Sequence, residues 1–512
     1  MSILEVFGTN LSNFLRFNFK EKVSSGSIER LGVIDIGSNS VRLVVFDGAA
    51  RSPAYFYNEK VICSLGSDLS SDNILNVLNK NKALAALKRF VLLSKAMHVT
   101  LIAVATAAVR NSKDGGAFCE EILQKTGLNV TILTGEEEAN LSAQGVLLGW
   151  PGADGLVCDL GGASLELAEI SKGTVGETIS CPIGPLYLNQ FYLEQKLQRD
   201  FVNSELRKSR KILSKKYTNI YLVGGSWRSI ARTQMEMTDY PLKVLHEYQM
   251  RIAEIKGTLN WIMRASLNDL EARSPSSPSR LRLLPSSAII LNELIDCFQP
   301  RKLAVSSYGI REGLLHSAMN KKLREQDPLL EACRHMEASA ARIPGFGLTL
   351  FNFIMPLFET SEKNFVRLIK AACFLHDVSW RAHPDYRAEV CFDNATRANL
   401  GGIDHQGRAF LAIALLYRYK SPKKNEIFSK IFSILDKKDK RKAEILGKAM
   451  RFGAMLSGST ADSMGKLELD NSKKLLKLKI SEKNKDLFGK VVQQRFASVA
   501  LRMSYEPIII WT

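Results

Sequence analysis

Two short stretches of this sequence combine residue types that suit phosphate: Asp35-Ile-Gly-Ser-Asn-Ser40 and, farther along, Asp159-Leu-Gly-Gly-Ala-Ser164. In each, an apolar strand pattern ends in an aspartate and runs into a glycine and serine turn. Glycine lets the main chain turn sharply and approach a ligand closely. The backbone N–H groups of Gly37, Ser38, Asn39 and Ser40, and of Gly161, Gly162, Ala163 and Ser164, can then surround phosphate oxygens with help from the serine hydroxyls. Asp35 and Asp159 are hard oxygen donors suited to Mg²⁺ or its water shell. Two such turns facing one another would clamp a phosphoryl group. Glu166 follows Asp159 on the outgoing limb of the second turn, where a strand return puts both carboxylates over one cation.

A base for water is sought in Thr134-Gly-Glu-Glu-Glu-Ala-Asn-Leu141, which stacks three carboxylates at the positive end of an expected helix. Successive helical positions differ by roughly 100° of rotation, so not all three can enter one cleft. One is expected to act as general base, the others to cap and solubilise the helix. The pair Gly224-Gly225 in Leu222-Val-Gly-Gly-Ser-Trp227 can close a loop over phosphates or serve as a plain turn. Arg42, Arg110, Arg228 and Arg311 lie near expected turns or element ends, and their guanidinium forks suit phosphate oxygens. Arg110 is the expected catalytic one, the rest being candidate salt-bridge partners. The Gly-x-x-x-x-Gly-Lys-Ser/Thr pattern of P-loop nucleotidases is absent. His376, Asp377, His383 and His405 resemble pieces of a His-Asp metal site, read here as a structural remnant because a full ligand set for two metals is not evident.

These residues must be positioned by α/β elements. LGVIDI, VRLVVFDGAA and AYFYNEKVIC read as three short strands with a turn at Asp47-Gly48, followed by a helix near 74–96, strand VTLIAVAT, helix GGAFCEEILQKTG and strand NVTILT. A second set repeats the plan: LVCDL, LELAEI and GTVGETISC, helices around 187–215, then NIYLVGG and RKLAVSS. The segment SPSSPSR reads as a loop. From about Ala332 the texture becomes helical, and 461–480 reads as a hairpin. The expected organisation is an N-terminal extension (1–29), two repeated domains (30–150 and 151–321), a helical domain (322–431) and a small basic α+β domain (432–512).

With 46% hydrophobic and 24% charged residues, the chain has the composition of a soluble globular protein. Its apolar runs are too short to span a bilayer, and Glu5 and Asn10 interrupt the segment that a secretion signal would need, so no membrane insertion is expected. Eight scattered cysteines without close pairs fit thiols in a reducing cytoplasm. A net charge of +18 points to a polyanionic partner without choosing among them. Residues 421–512 hold 20 Lys and Arg against 10 Asp and Glu, a surplus that suits either a polyanion or a solvated face.

At this point the chain resembles the exopolyphosphatase and guanosine pentaphosphate phosphatase family, within the actin, sugar kinase and Hsp70 superfamily. The resemblance rests on VIDIGSNSVRLVVFDG, TGEEEANLSAQGV, VCDLGGASLEL, SCPIGPLYL, YLVGGSWRSIAR and SSYGIREGLL. It implies two ribonuclease H-like domains around a cleft, a helical His-Asp-like domain and a small fourth domain. It also implies Mg²⁺-dependent release of terminal phosphate from polyphosphate or guanosine pentaphosphate, with Glu138 as base, Asp159 and Glu166 at the second phosphate loop, and dimerisation through the helical half. This chain departs from the common Gly-Gly-Gly-Ser-Thr-Glu pattern at Ala163 and Leu165. Ala163 is costly only if its position needs positive φ, and Leu165 removes a hydroxyl but leaves Glu166 in place.

Processive cleavage of inorganic polyphosphate is the favoured reading, because a flexible polyanion suits a basic groove and no aromatic arrangement is dedicated to a purine, although Trp227 lies in the glycine turn. Guanosine pentaphosphate is the alternative substrate. A non-catalytic polyanion binder would not need Asp35, Glu138, Asp159 and Glu166 together, a sugar kinase would need a sugar pocket that is not identifiable, and nucleic acid is not an expected partner.

Overall fold

The computed structural model describes residues 30–47, 51–66, 73–192, 194–359, 362–420, 426–458 and 464–512. The lead-in expected over 1–29, Gly48 of the expected turn, and 461–463 at the head of the expected C-terminal hairpin lie outside them. The chain divides into two compact units, Met1–Gln326 and Asp327–Thr512.

The first unit carries two mixed sheets built on one plan. In the first, β1 (Leu31–Ile36), β2 (Ser40–Phe46) and β3 (Tyr55–Ile62) form an antiparallel meander, and β4 (Thr100–Ala105) and β5 (Val130–Ile132) add in parallel beyond β1, for the order β3-β2-β1-β4-β5. The second repeats this with β6 (Gly155–Leu160), β7 (Leu165–Ser171), β8 (Thr174–Cys181), β9 (Asn219–Val223), β10 (Gln249–Arg251) and β11 (Lys302–Val305) in the order β10-β11-β9-β6-β7-β8. The central strands LGVIDI and GLVCDL are apolar at most positions because helices or strands cover both faces. At the edge, β3 lets polar and apolar residues alternate between half-buried and exposed positions.

Two helices tie the sheets together and create the cleft. The helix Gly135–Gly149 follows β5 of the first sheet yet packs Ala139, Ala143 and Val146 against Val157 and Ala168 of the second. Conversely, the helix Ile310–Ala318 follows β11 of the second sheet and packs Leu314 and Leu315 against Leu31 and Val33 of the first. The helices cross in backbone contact: a Cβ on Gly313 would lie 1.8 Å from the Leu141 carbonyl oxygen, so only glycine fits there. This exchange carries Glu138 to the second sheet and Arg311 to the first.

The segment expected as a loop, SPSSPSR, ends instead in one helical turn, Pro278–Leu281. Proline in a first turn loses no bond, because its missing N–H has no intrahelical acceptor there. The second unit is mainly helical, with His405–Tyr419 packed between Arg387–Arg397 and Lys437–Leu456. It also holds a small sheet in which β12 (Lys466–Asp470) and β13 (Leu475–Ile480) form a hairpin and β14 (Glu506–Trp511) runs parallel to β13. No helix among the described residues is long and apolar enough to cross a membrane.

Candidate active site

The two glycine and serine turns close alike: Gly37 N–H donates to the Ser40 carbonyl and Gly161 N–H to the Ser164 carbonyl, each at 3.0 Å. They face each other across one cleft, where a Cβ on Gly162 would lie 3.5 Å from Ser38 Cβ and 2.7 Å from Leu186 Cδ1. Gly37, Ser38, Asn39, Ser40, Gly161, Gly162, Ser164, Gly224 and Gly225 line that cleft. Gly224 adopts φ +117°, and a Cβ there would come within 2.5 Å of the Leu160 carbonyl oxygen, so the turn after β9 requires glycine. Ala163 keeps negative φ, and its methyl group therefore brings no backbone strain, but it does not line the cleft.

Helix geometry separates the three glutamates. Glu137 is used in a capping box, accepting from Thr134 N–H while its own N–H donates to Thr134 Oγ1, and Glu136 is exposed. Glu138 is buried and lines the cleft. Arg110 Nη1 donates to Glu138 Oε2 at 2.8 Å and to the Leu133 carbonyl at 2.9 Å, so Arg110 reaches the cleft only through Glu138. Burial pushes the Glu138 carboxyl up to about 7, with Arg110 opposing that rise and Asp159 and Asp35 adding to it.

Asp159 and Glu166 are cross-strand partners in the β6–β7 register. Asp159 Oδ2 accepts from the buried Ser142 hydroxyl. Glu166 Oε1 accepts from Ser180 Oγ at 3.1 Å, whereas its buried Oε2 has no hydrogen-bond partner among the described residues. Burial first, then the neighbouring carboxylates Glu138 and Asp159, hold Glu166 well above the usual carboxylate range. Glu166 lies behind Gly161 rather than on the cleft surface. An orphaned carboxylate oxygen beside a second carboxylate fits a divalent cation. Mg²⁺ characteristically uses one or two carboxylates and fills its remaining positions with water and phosphate oxygens. Asp35 is less available, since Arg311 Nη1 donates to its Oδ2 at 3.1 Å; burial nevertheless raises its pKa.

Arg42, Lys60, Arg228, Arg280 and Arg311 also line the cleft. Burial and then Arg280 push Lys60 down to about 8, and burial and then Arg311 push Arg228 down to about 10. Lys60 and Arg280 escape sequence reasoning: one is an ordinary edge-strand lysine, the other sits in a stretch that reads as loop, and only the fold joins them. Trp227, the aromatic residue of the glycine turn that could contribute to holding a purine, is turned away from the cleft. It is fully buried, its Nε1–H bound to the Cys158 carbonyl at 3.1 Å, and no aromatic side chain lines the cleft among the described residues.

The His-Asp pieces lie in the second unit and are differently engaged. Asp377 accepts from Arg342 Nε and Nη2 at 2.8 and 2.6 Å, the buried His376 has Nδ1 2.7 Å from the Cys373 carbonyl oxygen, and His383 is exposed. No group of three or more His, Cys, Asp or Glu among the described residues is arranged to hold a metal.

Twin sheets of this order, joined by exchanged helices around a phosphate-suited cleft, define an actin-like fold. Residues 44–322 match the model of the Ppx/GppA phosphatase family, and residues 342–506 match the exopolyphosphatase C-terminal model. The chain belongs to the Ppx/GppA phosphatase family, as its motifs imply. It is 24% identical over 463 residues to Retrograde regulation protein 2 of Saccharomyces cerevisiae, covering 81% of this chain and 77% of that one. It is 23% identical over 312 residues to a bifunctional 3-dehydroquinate synthase/phosphatase of Fusobacterium nucleatum, covering 56% of this chain and only 46% of that protein. A crystal structure of an exopolyphosphatase from Cytophaga hutchinsonii superposes with a TM-score of 0.53 at 21% identity, covering 56% of this chain and 97% of that chain, a likeness of fold.

Proposed function

We propose that the protein is an exopolyphosphatase that releases the terminal phosphate of inorganic polyphosphate. The observation that carries this reading is the joint presence in one cleft of Glu138, two facing phosphate-type turns and five cationic side chains, with no aromatic ring lining it among the described residues. The cations suit a substrate carrying charge on every phosphate; guanosine pentaphosphate, the second reading, would also need a surface for its base.

Backbone N–H groups of the two turns, other than those of Gly37 and Gly161 that close the turns, bind with the serine hydroxyls the equatorial oxygens of the terminal phosphoryl group, and Arg42, Lys60, Arg228, Arg280 and Arg311 neutralise the chain behind it. Arg110 fixes one oxygen of Glu138 and leaves the other for water. Ionised Glu138 takes a proton as the water oxygen bonds to the terminal phosphorus. The bridging P–O bond breaks, and the shortened chain leaves with its electron pair. Asp159 and Glu166 would hold Mg²⁺, which when bound supplies neutralising charge to the phosphate oxygens.

Phosphate release from long-chain polyphosphate and from guanosine pentaphosphate, at matched terminal-phosphate concentration with Mg²⁺ or EDTA, tests the reading. Metal-dependent preference for polyphosphate is expected. Preference for the nucleotide would install the second reading, and release from neither would reject both.

A further inference from the structure

A hydroxyl buried inside a helix ordinarily gives its hydrogen to the preceding turn, as Ser209, Ser229, Thr233 and Ser287 do here, each donating to the carbonyl oxygen four residues back. Ser142, in the helix Gly135–Gly149, does otherwise. It is fully buried, and its single hydrogen crosses to Asp159 Oδ2 on β6 of the second sheet. Among the described residues it is the one donor to that carboxylate. Its helix neighbours Ala139, Ala143 and Val146 are apolar and offer no side-chain substitute.

The bond fixes how the carboxylate is turned about its last single bond, a torsion with broad, shallow preferences when nothing holds it. With Oδ2 tied to the helix, Oδ1 lies on the side of Gly224, where an added Cβ would stand 3.2 Å from it, and Asp159 and Gly224 both line the cleft. A carboxylate held through one oxygen presents the other to a cation without first giving up rotation. Ser142 also follows Glu138 by four residues, one turn along the same helix face. Arg110 holds Glu138 from the first lobe. Arg110, Glu138, Ser142 and Asp159 therefore make one polar line from the first lobe to the central strand of the second.

We propose that Ser142 is a positioning residue, which orients Asp159 toward the cation and fixes the helix that carries the base against the strand that holds the cation. The inference rests on the reading of Asp159 as a Mg²⁺ ligand, and not on which phosphate chain is cleaved.

The test titrates Mg²⁺ into the full-length protein and follows its melting temperature, for the wild type, S142A and S142C. Alanine removes the donor, and cysteine fills the same space with a weaker one, so the two differ in packing but agree in direction. Each is expected to weaken Mg²⁺ binding roughly tenfold, the usual effect of removing a hydrogen bond that orients a metal ligand. Phosphate release from polyphosphate should need about tenfold more Mg²⁺ for half its maximal rate, while KM for polyphosphate at saturating Mg²⁺ stays within about twofold, a split that a general loss of packing would not produce. A lower melting temperature in EDTA with wild-type Mg²⁺ affinity, in whichever variant folds, would reduce Ser142 to a packing residue and overturn the proposal. A wild type that Mg²⁺ does not stabilise overturns it as well. The melting titration needs no substrate, so it decides the role of Ser142 even if polyphosphate is not cleaved and the exopolyphosphatase reading fails.

Discussion

Asp159 and Glu166 stand directly opposite each other across the β6–β7 hairpin, at the place where the first hairpin sets Asp35 opposite Arg42. The repeated architecture thus sets residues of opposite sign across from each other in one lobe and two carboxyl groups across from each other in the other. Like charges at a directly opposed strand position destabilise a sheet unless a proton or a cation intervenes.

Glu166→Gln replaces a carboxyl that is already held well above its usual range with a neutral group of the same shape. In EDTA the variant is expected to melt close to the wild type. Added Mg²⁺ should raise the wild-type melting temperature, by an amount equivalent to about 2.7 kcal/mol at a hundredfold excess over Kd, and leave the variant unmoved. Equal stabilisation of both proteins would remove Glu166 from the cation site.

Glu138 serves as base only when ionised, so with its carboxyl up at about 7 the rate should rise with pH through that value and level off above it. Glu138→Gln is expected to lower kcat about a hundredfold or more and to abolish this limb. Arg110→Gln removes the interaction that lowers Glu138, which moves the limb to higher pH. A profile of kcat/KM against pH that is identical in R110Q and wild type would show that Arg110 does not tune the base.

How much of this was legible in the sequence depends on how local each feature is. The twin Asp-Gly-Ser turns could be read directly, because strand, turn and returning strand are contiguous and fix their own register. The choice among Glu136, Glu137 and Glu138 follows from helix rotation and the capping box, although sequence pattern alone left it open and the family resemblance supplied it. Trp227 was left open by the sequence, because its proximity to Gly224 and Gly225 along the chain does not show that the helical turn rotates it into the core. Lys60 and Arg280 were illegible: they meet through the packing of two lobes, and neither neighbourhood carries a phosphate signature.

That pair supplies a specificity prediction. Lys60→Ala and Arg280→Ala are each expected to raise KM for long polyphosphate several-fold, with smaller change in kcat, and to flatten the loss of affinity with added salt because fewer charges remain to be screened. Steady-state kinetics at two ionic strengths measure both effects. An unchanged KM for both variants would mean that these side chains do not bind the chain.

His316 connects the same fold to acid stability. It is buried in the helix Ile310–Ala318, with Nδ1 2.8 Å from Gln144 Oε1 of the crossing helix, and burial, reinforced by Arg324 and Arg51, pushes it down to about 3. In the unfolded chain an ordinary histidine takes a proton near pH 6.5, whereas the folded chain refuses it until about pH 3. The unfolded state therefore binds more protons across that interval. The stability contributed by neutral His316 is complete above pH 6.5 and declines as pH falls, by up to about 1.4 kcal/mol per pH unit. His316→Gln removes the titration while keeping a hydrogen-bonding side chain, so urea unfolding followed between pH 7 and 4.5 should fall less steeply for the variant than for the wild type. Parallel pH dependences in the two proteins would mean that the crossing of the two helices admits the charged ring, and that the burial assigned to His316 does not govern its proton.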